Sequence, residues 1–394
     1  MRVTALAAHT SPPEAVRAAL AARGWEAQPA WFAATGIQSL VVLLEEITEA
    51  EREALVHWGT KSGADVLTGE GWALVAAAAS RLAPLARYDR APPALARLAP
   101  ELGRFLAGHA DPPRAWAIRG AELSLDKPVI IGIVNVTPDS FSDGGRLTTV
   151  EAAVEHGARL TADGARLLDV GGESTRPGAP SVAVREEIER VVPVIRELVR
   201  RGLTPVSVDT RKADVARAAL DAGAAVVNDV SGLVFDQSLA AVVAGAGAGL
   251  IVMHMRGTPD TMDDLSTYRG GHVAPEVAAE LGEAAARAER AGVGREHIVV
   301  DPGFGFAKTA TQNLRLLDEL ATIVALGYPV AVGPSRKRFL GAVTGRPVED
   351  RDRATAVACA LAWERGARAF RVHDVATTRE ALSIAIGATT TTNL

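Results

Sequence analysis

The segment Pro205-Val-Ser-Val-Asp-Thr-Arg-Lys-Ala-Asp-Val-Ala-Arg-Ala-Ala-Leu-Asp-Ala-Gly-Ala-Ala-Val-Val-Asn228 decides the fold of this chain. Residues 205–209 and 224–228 are short runs rich in valine, which predict two strands. Between them, residues 212–222 mix alanine, leucine and charged residues over a length typical of a helix. A strand, a helix and a second strand in this order predict a βαβ unit with parallel strands.

The same alternation continues from Pro128 to the end of the chain. Several of the apolar runs do not alternate between apolar and polar residues, as expected for strands that are covered on both faces. Eight strands with their helices, over roughly 260 residues, predict an α/β protein with a (β/α)8 TIM barrel. The strands are predicted at 129–135, 166–170, 205–209, 224–228, 249–253, 298–301, 329–333 and 368–373. Helices between them are predicted at 150–163, 182–201, 212–222, 273–291, 312–326 and 353–365.

A polar residue lies at or near the end of each predicted barrel strand. In a (β/α)8 barrel the loops that follow the strands converge at one mouth, where the chemistry takes place. A single Asp, Asn or Ser at such a point could be an ordinary helix N-cap. Capping does not require polar groups at eight successive strand ends, so we expect a shared active-site rim. Its members are Asn135, Asp169, Asp209, Asn228, His254, Asp301, Ser335, Arg371 and His373.

The first part of the chain follows a different pattern. Residues 1–112 are predicted to form an additional small N-terminal α/β domain, joined by a proline- and alanine-rich helical connector to a barrel at residues 113–394. Thr48-Glu-Ala-Glu51 has the spacing of a capping box and predicts the start of a helix. Further strands are predicted at 2–8 and 39–44, and further helices at 13–23 and 94–107. We expect the tryptophans at 25, 31, 58, 72 and 116 to have core roles.

Composition excludes several classes of protein. Hydrophobic residues make up 48% of the 394 residues and charged residues 23%, which is typical of a globular chain. The 42 Lys and Arg residues against 47 Asp and Glu residues give a net charge of −5, which argues against a nucleic-acid partner. The single cysteine, Cys359, excludes an internal disulfide and is compatible with a reducing cytoplasm. No apolar run reaches the ~18 residues of a membrane span, so we expect a soluble, cytoplasmic protein with no membrane partner.

Two segments resemble the signatures of a known family. Ile131-Gly-Ile-Val-Asn-Val-Thr-Pro-Asp-Ser-Phe-Ser-Asp-Gly-Gly145 is similar to the first signature of the dihydropteroate synthases, and Leu168-Asp-Val-Gly-Gly-Glu-Ser-Thr-Arg-Pro-Gly-Ala179 to the second. The resemblance runs from about Lys127 to the C-terminus. The segments that follow in family order are Ser207-Val-Asp-Thr210, Asn228-Asp-Val-Ser-Gly232, Met253-His-Met-Arg-Gly257, Asp301-Pro-Gly-Phe-Gly-Phe-Ala-Lys308, Ser335-Arg-Lys-Arg-Phe339 and Arg371-Val-His-Asp-Val375.

The resemblance implies a reaction and a pterin site. Enzymes of this family condense 6-hydroxymethyl-7,8-dihydropterin pyrophosphate with p-aminobenzoate, giving 7,8-dihydropteroate and pyrophosphate. The family motifs assign pterin recognition to Asp209, Asn228, Asp301 and Lys337, with Met253 as an apolar wall. The resemblance also implies a homodimer and inhibition by sulfonamides.

The remaining site residues are implied in the same way. Arg371 and His373 are expected to hold the pyrophosphate, and Asn135 a Mg²⁺ cofactor bound to it. Arg176 would add a further cation to these residues, and with Lys337 completes the implied catalytic set. Thr175 and Ser335 are expected to contact p-aminobenzoate, with Phe306 and Pro177 along its apolar sides.

Other interpretations remain open. A methyltetrahydrofolate:corrinoid methyltransferase has a similar pterin-binding barrel, and a catalytically silent barrel could bind a pterin as a regulatory protein. Taken singly, Asp301 could be a turn residue, Lys337 a solvated charge, His373 a core histidine and Arg371 a surface ion-pair partner. The chain also departs from the family pattern at Pro334, and at Ala307, where many relatives carry glycine.

Overall fold

The computed structural model describes residues 2–7, 40–77, 79–87, 90–100, 102–103, 106, 113–136, 149–174, 181–268 and 273–390. The chain divides into two compact units. The first unit comprises Met1–Pro112, Tyr268–Ala279 and Asp318–Gly327. The second comprises Pro113–Thr267, Glu280–Leu317 and Tyr328–Leu394.

The first unit contains a four-stranded antiparallel sheet in the order β1-β2-β4-β3. The strands predicted at 2–8 and 39–44 are present, but the hairpin of β3 and β4 was not predicted. All six residues of β4 are buried, so its sequence shows no polar alternation. The four strands are β1 (Arg2–Ala7), β2 (Leu40–Glu45), β3 (Asp65–Gly69) and β4 (Trp72–Ala77).

Helix α1 (Glu49–Ser62) begins at the predicted capping box. The Thr48 hydroxyl accepts a hydrogen bond from the Glu51 amide at 3.3 Å, and the Glu51 carboxylate accepts one from the Thr48 amide at 2.7 Å. A short helix α2 (Ala79–Leu82) follows the sheet. The segment predicted as a helix at 94–107 begins with a 3₁₀ helix, Pro93–Leu98. The helix predicted at 13–23 lies outside the described residues, as do Trp25 and Trp31.

The second unit contains the predicted (β/α)8 barrel. Eight parallel strands are paired in the order β12-β11-β10-β9-β8-β7-β14-β13, and a parallel bridge from Val300 to Val330 joins the two ends of this order. The predicted fold class is therefore confirmed for this part of the chain. The strands are β7 (Val129–Asn135), β8 (Leu167–Gly171), β9 (Val206–Asp209), β10 (Val226–Asp229), β11 (Gly249–Met253), β12 (Ile298–Asp301), β13 (Ala331–Val332) and β14 (Ala369–Val372).

Helices alternate with these strands. The helix predicted at 312–326 is divided into two, because the chain leaves the helical ladder between Asp318 and Ala321. The helices at 239–246, 338–344 and 375–390 were not predicted. In chain order the helices are α3 (Val150–Asp163), α4 (Val184–Arg200), α5 (Ala213–Asp221), α6 (Leu239–Ala246), α7 (Val273–Arg290), α8 (Ala310–Asp318), α9 (Ala321–Val324), α10 (Arg338–Thr344), α11 (Asp352–Glu364) and α12 (Val375–Thr390).

A hairpin covers the end of the barrel at which the strands begin. Its strands, β5 (Ala115–Ile118) and β6 (Ala121–Ser124), precede the barrel in the chain. Trp116 is fully buried in one cluster with residues near the starts of the barrel strands, and its indole donates a hydrogen bond to the His297 carbonyl at 2.9 Å. Large apolar side chains therefore fill this end of the barrel. The opposite end carries the predicted polar rim.

Across the described residues, none of the helices combines the length and the apolar composition that crossing a bilayer would need.

Candidate active site

An arginine at the end of β14 lies between two carboxylates at the barrel mouth. Arg371 donates from Nε to Asp169 Oδ2 at 2.6 Å and from Nη2 to Asp209 Oδ2 at 2.7 Å. Burial by itself lowers the Arg371 pKa, but the charges of Asp169 and Asp209 outweigh it and raise the pKa above the ordinary value. The guanidinium therefore stays charged. Its ion pairs are buried, whereas the sequence taken alone also allowed an ion pair at the protein surface.

Asp169 also orients a neighbouring amide. Its Oδ2 accepts a hydrogen bond from Asn228 Nδ2 at 3.0 Å, so the amide oxygen of Asn228 is the atom left to accept from a ligand. Asp169 is completely buried, and in the part of the chain that the structure describes its Oδ1 has no hydrogen-bond partner. One carboxylate thus orients two of the predicted site residues.

Gly171, at the end of β8, brings two more predicted residues together. A β-carbon at this position would lie 3.6 Å from Asn135 Oδ1 and 3.6 Å from Asp209 Oδ2. Both oxygens therefore border the same glycine. Burial raises the pKa of Asp209, although the nearby Arg371 charge opposes the shift.

Asp301 ends β12 on the other side of the arginine. A β-carbon at Gly333 would lie 3.8 Å from Arg371 Cβ and 3.9 Å from Asp301 Oδ2, which places the two side chains at one mouth. Asp301 Oδ1 accepts a hydrogen bond from the Gly303 amide at 2.7 Å. Burial raises the pKa of Asp301 to about 6, while this hydrogen bond and the charge of Lys337 act in the opposite direction.

An apolar wall adjoins these carboxylates. Phe306 packs in one buried cluster with Met253 and Ala307. The Lys337 ammonium lies 3.9 Å from the centre of the Phe306 ring, a cation–π distance. Lys337 is half-buried, so it is not the fully solvated charge that its sequence context allowed. Phe306 thus contacts both the buried cluster that contains Met253 and the Lys337 ammonium.

Ser335 and His373 form a second pair at the rim. Their side chains meet at 2.8 Å between Oγ and Nδ1, and the His373 amide donates to the same hydroxyl at 3.2 Å. Ser335 follows the seventh barrel strand and His373 the eighth. In TIM barrels the loops after these two strands frequently bind phosphate.

Two groups of charged residues near the rim were not assigned roles from the sequence. Lys308 is buried against His254, with 2.9 Å between Nζ and Nδ1, and His254 Nε2 faces Glu280 at 3.0 Å. The signal for Lys308 was its position at the end of the quoted segment 301–308. The second group surrounds Glu173, which pairs with Arg211 at 3.0 Å and Lys212 at 2.9 Å. Lys212 also pairs with the buried Glu187 at 2.6 Å.

Some predicted residues lie outside the described part of the chain. These are Thr175, Arg176, Pro177 and the end of the first signature from residue 137 to 145.

The two departures from the family pattern lie within the described part of the chain. Ala307 has φ 49°, which is the left-handed conformation that glycine favours. The alanine of this chain therefore adopts a backbone conformation that suits glycine. Pro334 is buried, and its carbonyl accepts a hydrogen bond from the Lys337 amide at 3.2 Å.

The chain is similar to proteins of known family. Residues 131–373 match the model of a family described as pterin binding enzyme, and this span includes every barrel strand from β8 to β14. A dihydropteroate synthase from Mycobacterium leprae is 47% identical over 269 residues, which cover 66% of this chain and 94% of the relative.

Solved structures show the same similarity. Dihydropteroate synthase from Xanthomonas albilineans, solved with 4-aminobenzoic acid, is 47% identical with a TM-score of 0.65 and covers 70% of this chain and 98% of its own. The Yersinia pestis enzyme, solved in a sulfonamide drug complex, is 37% identical with a TM-score of 0.67 and covers 70% of this chain and 99% of its own. The chain therefore belongs to the dihydropteroate synthases of the pterin-binding enzyme family.

Proposed function

We propose that this protein condenses 6-hydroxymethyl-7,8-dihydropterin pyrophosphate with p-aminobenzoate, releasing 7,8-dihydropteroate and pyrophosphate. The observation that carries the proposal is the single barrel mouth. Arg371 is pinned there by Asp169 and Asp209, with Asp301 beside it. Carboxylates that can accept hydrogen bonds from a flat polar heterocycle therefore lie next to a cation that can stabilise a departing anion.

We assign the pterin to the pocket of Asp209, Asn228 and Asp301. Carboxylates accept hydrogen bonds from the amino and ring N–H groups along the pterin edge, and a carboxamide oxygen accepts another. Asp301 and Asp209 each already receive one hydrogen bond through a single oxygen, so each has a second oxygen for the ligand. Met253 supplies an apolar contact for the ring, and Lys337 a donor at the edge of the pocket.

The pyrophosphate is assigned to Arg371 and His373. The bond between the methylene carbon and the phosphate oxygen breaks more readily when the growing negative charge is met by fixed cations and donors. Arg371 stays ionised, and the Ser335 to His373 contact holds the imidazole in one orientation. Arg176 is proposed to add a bidentate donor to the same group.

We propose Mg²⁺ as cofactor, with the Asn135 amide oxygen as its protein ligand. We propose substrate phosphate oxygens and water as its other ligands. That donor set fits Mg²⁺, which prefers oxygen and keeps several waters. When bound, the ion supplies positive charge to the leaving pyrophosphate.

The nucleophile is assigned to the surface formed by Phe306, Lys337 and Ser335, together with Thr175. The aromatic amine of p-aminobenzoate is neutral at pH 7, so it needs no general base to make its lone pair available. As the bond between the methylene carbon and the pyrophosphate oxygen breaks, the electron-rich dihydropterin stabilises the cationic methylene carbon. The amine then attacks that carbon, and the new ammonium loses one proton to water. Positioning and charge stabilisation therefore account for most of the rate.

The test is an assay of the purified full-length chain with the pterin pyrophosphate, Mg²⁺ and p-aminobenzoate. We expect 7,8-dihydropteroate and pyrophosphate in equal amounts, and inhibition by a sulfonamide that rises with inhibitor and falls with added p-aminobenzoate. Pterin binding by folded protein without product would favour a silent binding protein. Methyl transfer from methyltetrahydrofolate to a corrinoid would favour the methyltransferase interpretation.

We also propose that the protein is a homodimer that acts in the cytoplasm, where its single free cysteine, Cys359, would stay reduced. Three exposed apolar residues on α11 and α12 support a contact with a second copy, and these helices pack against each other. They are Val357 (58% exposed), Leu361 (38%) and Ile384 (77%). Ile384→Asp should shift the protein from dimer to monomer in analytical ultracentrifugation, whereas an unchanged mass would assign the contact elsewhere.

Residues 1–112 are proposed as a separate domain for oligomer contact or partner docking.

A further inference from the structure

Lys308 is a buried cation that the proposed reaction does not use. It lies in the segment between β12 and α8, and the residue is only 7% exposed. Its Nζ lies 2.9 Å from His254 Nδ1, 3.0 Å from the Gly303 carbonyl oxygen and 2.9 Å from the Phe306 carbonyl oxygen. One side chain therefore joins both ends of the turn 303–306.

The number of acceptors matches an ammonium group. A protonated lysine has three N–H donors, and Lys308 faces three acceptors, whereas a neutral amine would have only two donors for them. His254 can accept at Nδ1 because its Nε2 proton points to Glu280 at 3.0 Å. Burial and the Lys308 charge lower the pKa of His254 to about 4, so this imidazole is neutral and keeps that tautomer.

The turn held by Lys308 contacts one of the proposed substrate-binding residues, Asp301, and contains another, Phe306. The Gly303 amide donates to Asp301 Oδ1 at 2.7 Å, which fixes the carboxylate assigned to the pterin. Gly303 has φ 68°, and a β-carbon there would overlap the His254 carbonyl oxygen, so the turn packs directly on the end of β11. Phe306, at the other end of the turn, is the wall assigned to p-aminobenzoate.

Charges on several elements surround Lys308. Asp301 and Glu280 favour its ammonium form, while Arg256 and Lys337 oppose it. Burial is the largest influence and lowers the pKa of Lys308 to about 7. Arg256 is itself paired with Glu280, with 3.1 Å between Nε and Oε1.

We propose that the Lys308 ammonium is a positioning group, held by His254 and Glu280, that fixes the 303–306 turn and thereby sets Asp301 and Phe306 for the two substrates. The inference rests on the proposed function for the identity of those substrates. It adds a residue that touches neither substrate and acts through the turn.

The first test is Lys308→Met, which keeps the unbranched stem and removes the three donors. We expect KM for p-aminobenzoate and for the pterin pyrophosphate to rise about tenfold, because the turn no longer holds Asp301 and Phe306 in place, with a smaller change in kcat. Amide hydrogen exchange in residues 303–308 should accelerate, while exchange in β9 should not. Unchanged KM values together with unchanged exchange in a folded variant would overturn the proposal.

The second test uses pH and does not require a substitution in the buried site. Because the free enzyme loses the ammonium as pH rises through about 7, KM for p-aminobenzoate should rise between pH 6 and pH 8.5. Glu280→Gln removes a charge that favours the ammonium, so the rise should begin at lower pH. Glu289→Gln is the matched control, since Glu289 lies on the same helix and pairs with Arg295 at 3.0 Å, away from His254.

The outcomes separate this inference from the proposed function. If the wild-type protein makes no dihydropteroate, the function fails, and hydrogen exchange in residues 303–308 of wild type and Lys308→Met still decides the positioning claim. If the wild-type protein is active, a pH profile shifted by Glu280→Gln and not by Glu289→Gln supports it. Equal profiles for wild type and both glutamine variants would overturn it.

Discussion

The carboxylate of Asp169 connects residues that we propose for two parts of one substrate. It is fully buried, yet it receives hydrogen bonds from Asn228, proposed for the pterin, and from Arg371, proposed for the pyrophosphate. A buried charge is tolerated only when it is paired and hydrogen-bonded. Here the pairing also fixes the orientation of both partners.

We therefore expect Asp169→Asn to reduce kcat/KM by at least about 100-fold, because Arg371 and Asn228 both lose the charged acceptor that orients them. The affinities for hydroxymethyl-dihydropterin and for pyrophosphate should both fall in titration calorimetry. Asp126→Asn, an exposed carboxylate outside the site, is the control and should behave as wild type. A folded Asp169→Asn variant with wild-type kinetics would contradict this account of the residue.

Helix α1 offers a prediction about one element. Its capping box satisfies amides of the first turn, and Glu51 is held further by Arg97 at 2.7 Å. Thr48→Ala should lower the free energy of unfolding of the first unit by about 1 kcal/mol. Thr60→Ala is the matched control, because alanine is the better helix former at this exposed position near the end of the same helix. Equal urea midpoints for Thr48→Ala and wild type would show that the cap contributes nothing.

The sequence predicts most barrel elements because their valine-rich strands are buried on both faces. Val129–Asn135, Gly249–Met253 and Ile298–Asp301 begin and end as predicted. Prediction failed where a buried strand is poor in valine and isoleucine. Strand Trp72–Ala77 is alanine-rich and wholly buried, and so shows neither helical nor alternating periodicity.

The site divides in the same way. The positions of Asp209, Asn228 and Asp301 could be predicted, because strand ends in a barrel meet at one mouth. Their hydrogen-bond partners could not, since spacing along the chain does not reveal which side chains meet across the barrel. Asp169 contacts Arg371, and Lys308 contacts His254, and in both pairs the residues are far apart in the sequence.

At the scale of the whole molecule, the barrel should function without the N-terminal region. The M. leprae relative is matched over 94% of its own length by a stretch that covers 66% of this chain. A protein of residues 113–394 should therefore keep synthase activity close to the full-length value. Circular dichroism would first confirm that it is folded. A folded but inactive barrel would show that residues 1–112 take part in catalysis.

The central claim is that one barrel mouth holds the pterin and the pyrophosphate side by side on different side chains. Titration calorimetry of two variants, Asp301→Asn and His373→Gln, tests it most directly, with hydroxymethyl-dihydropterin and Mg²⁺-pyrophosphate as separate ligands. We predict that Asp301→Asn loses mainly pterin affinity and His373→Gln mainly pyrophosphate affinity. Equal losses of both ligands in both folded variants, or no loss in either, would contradict the account.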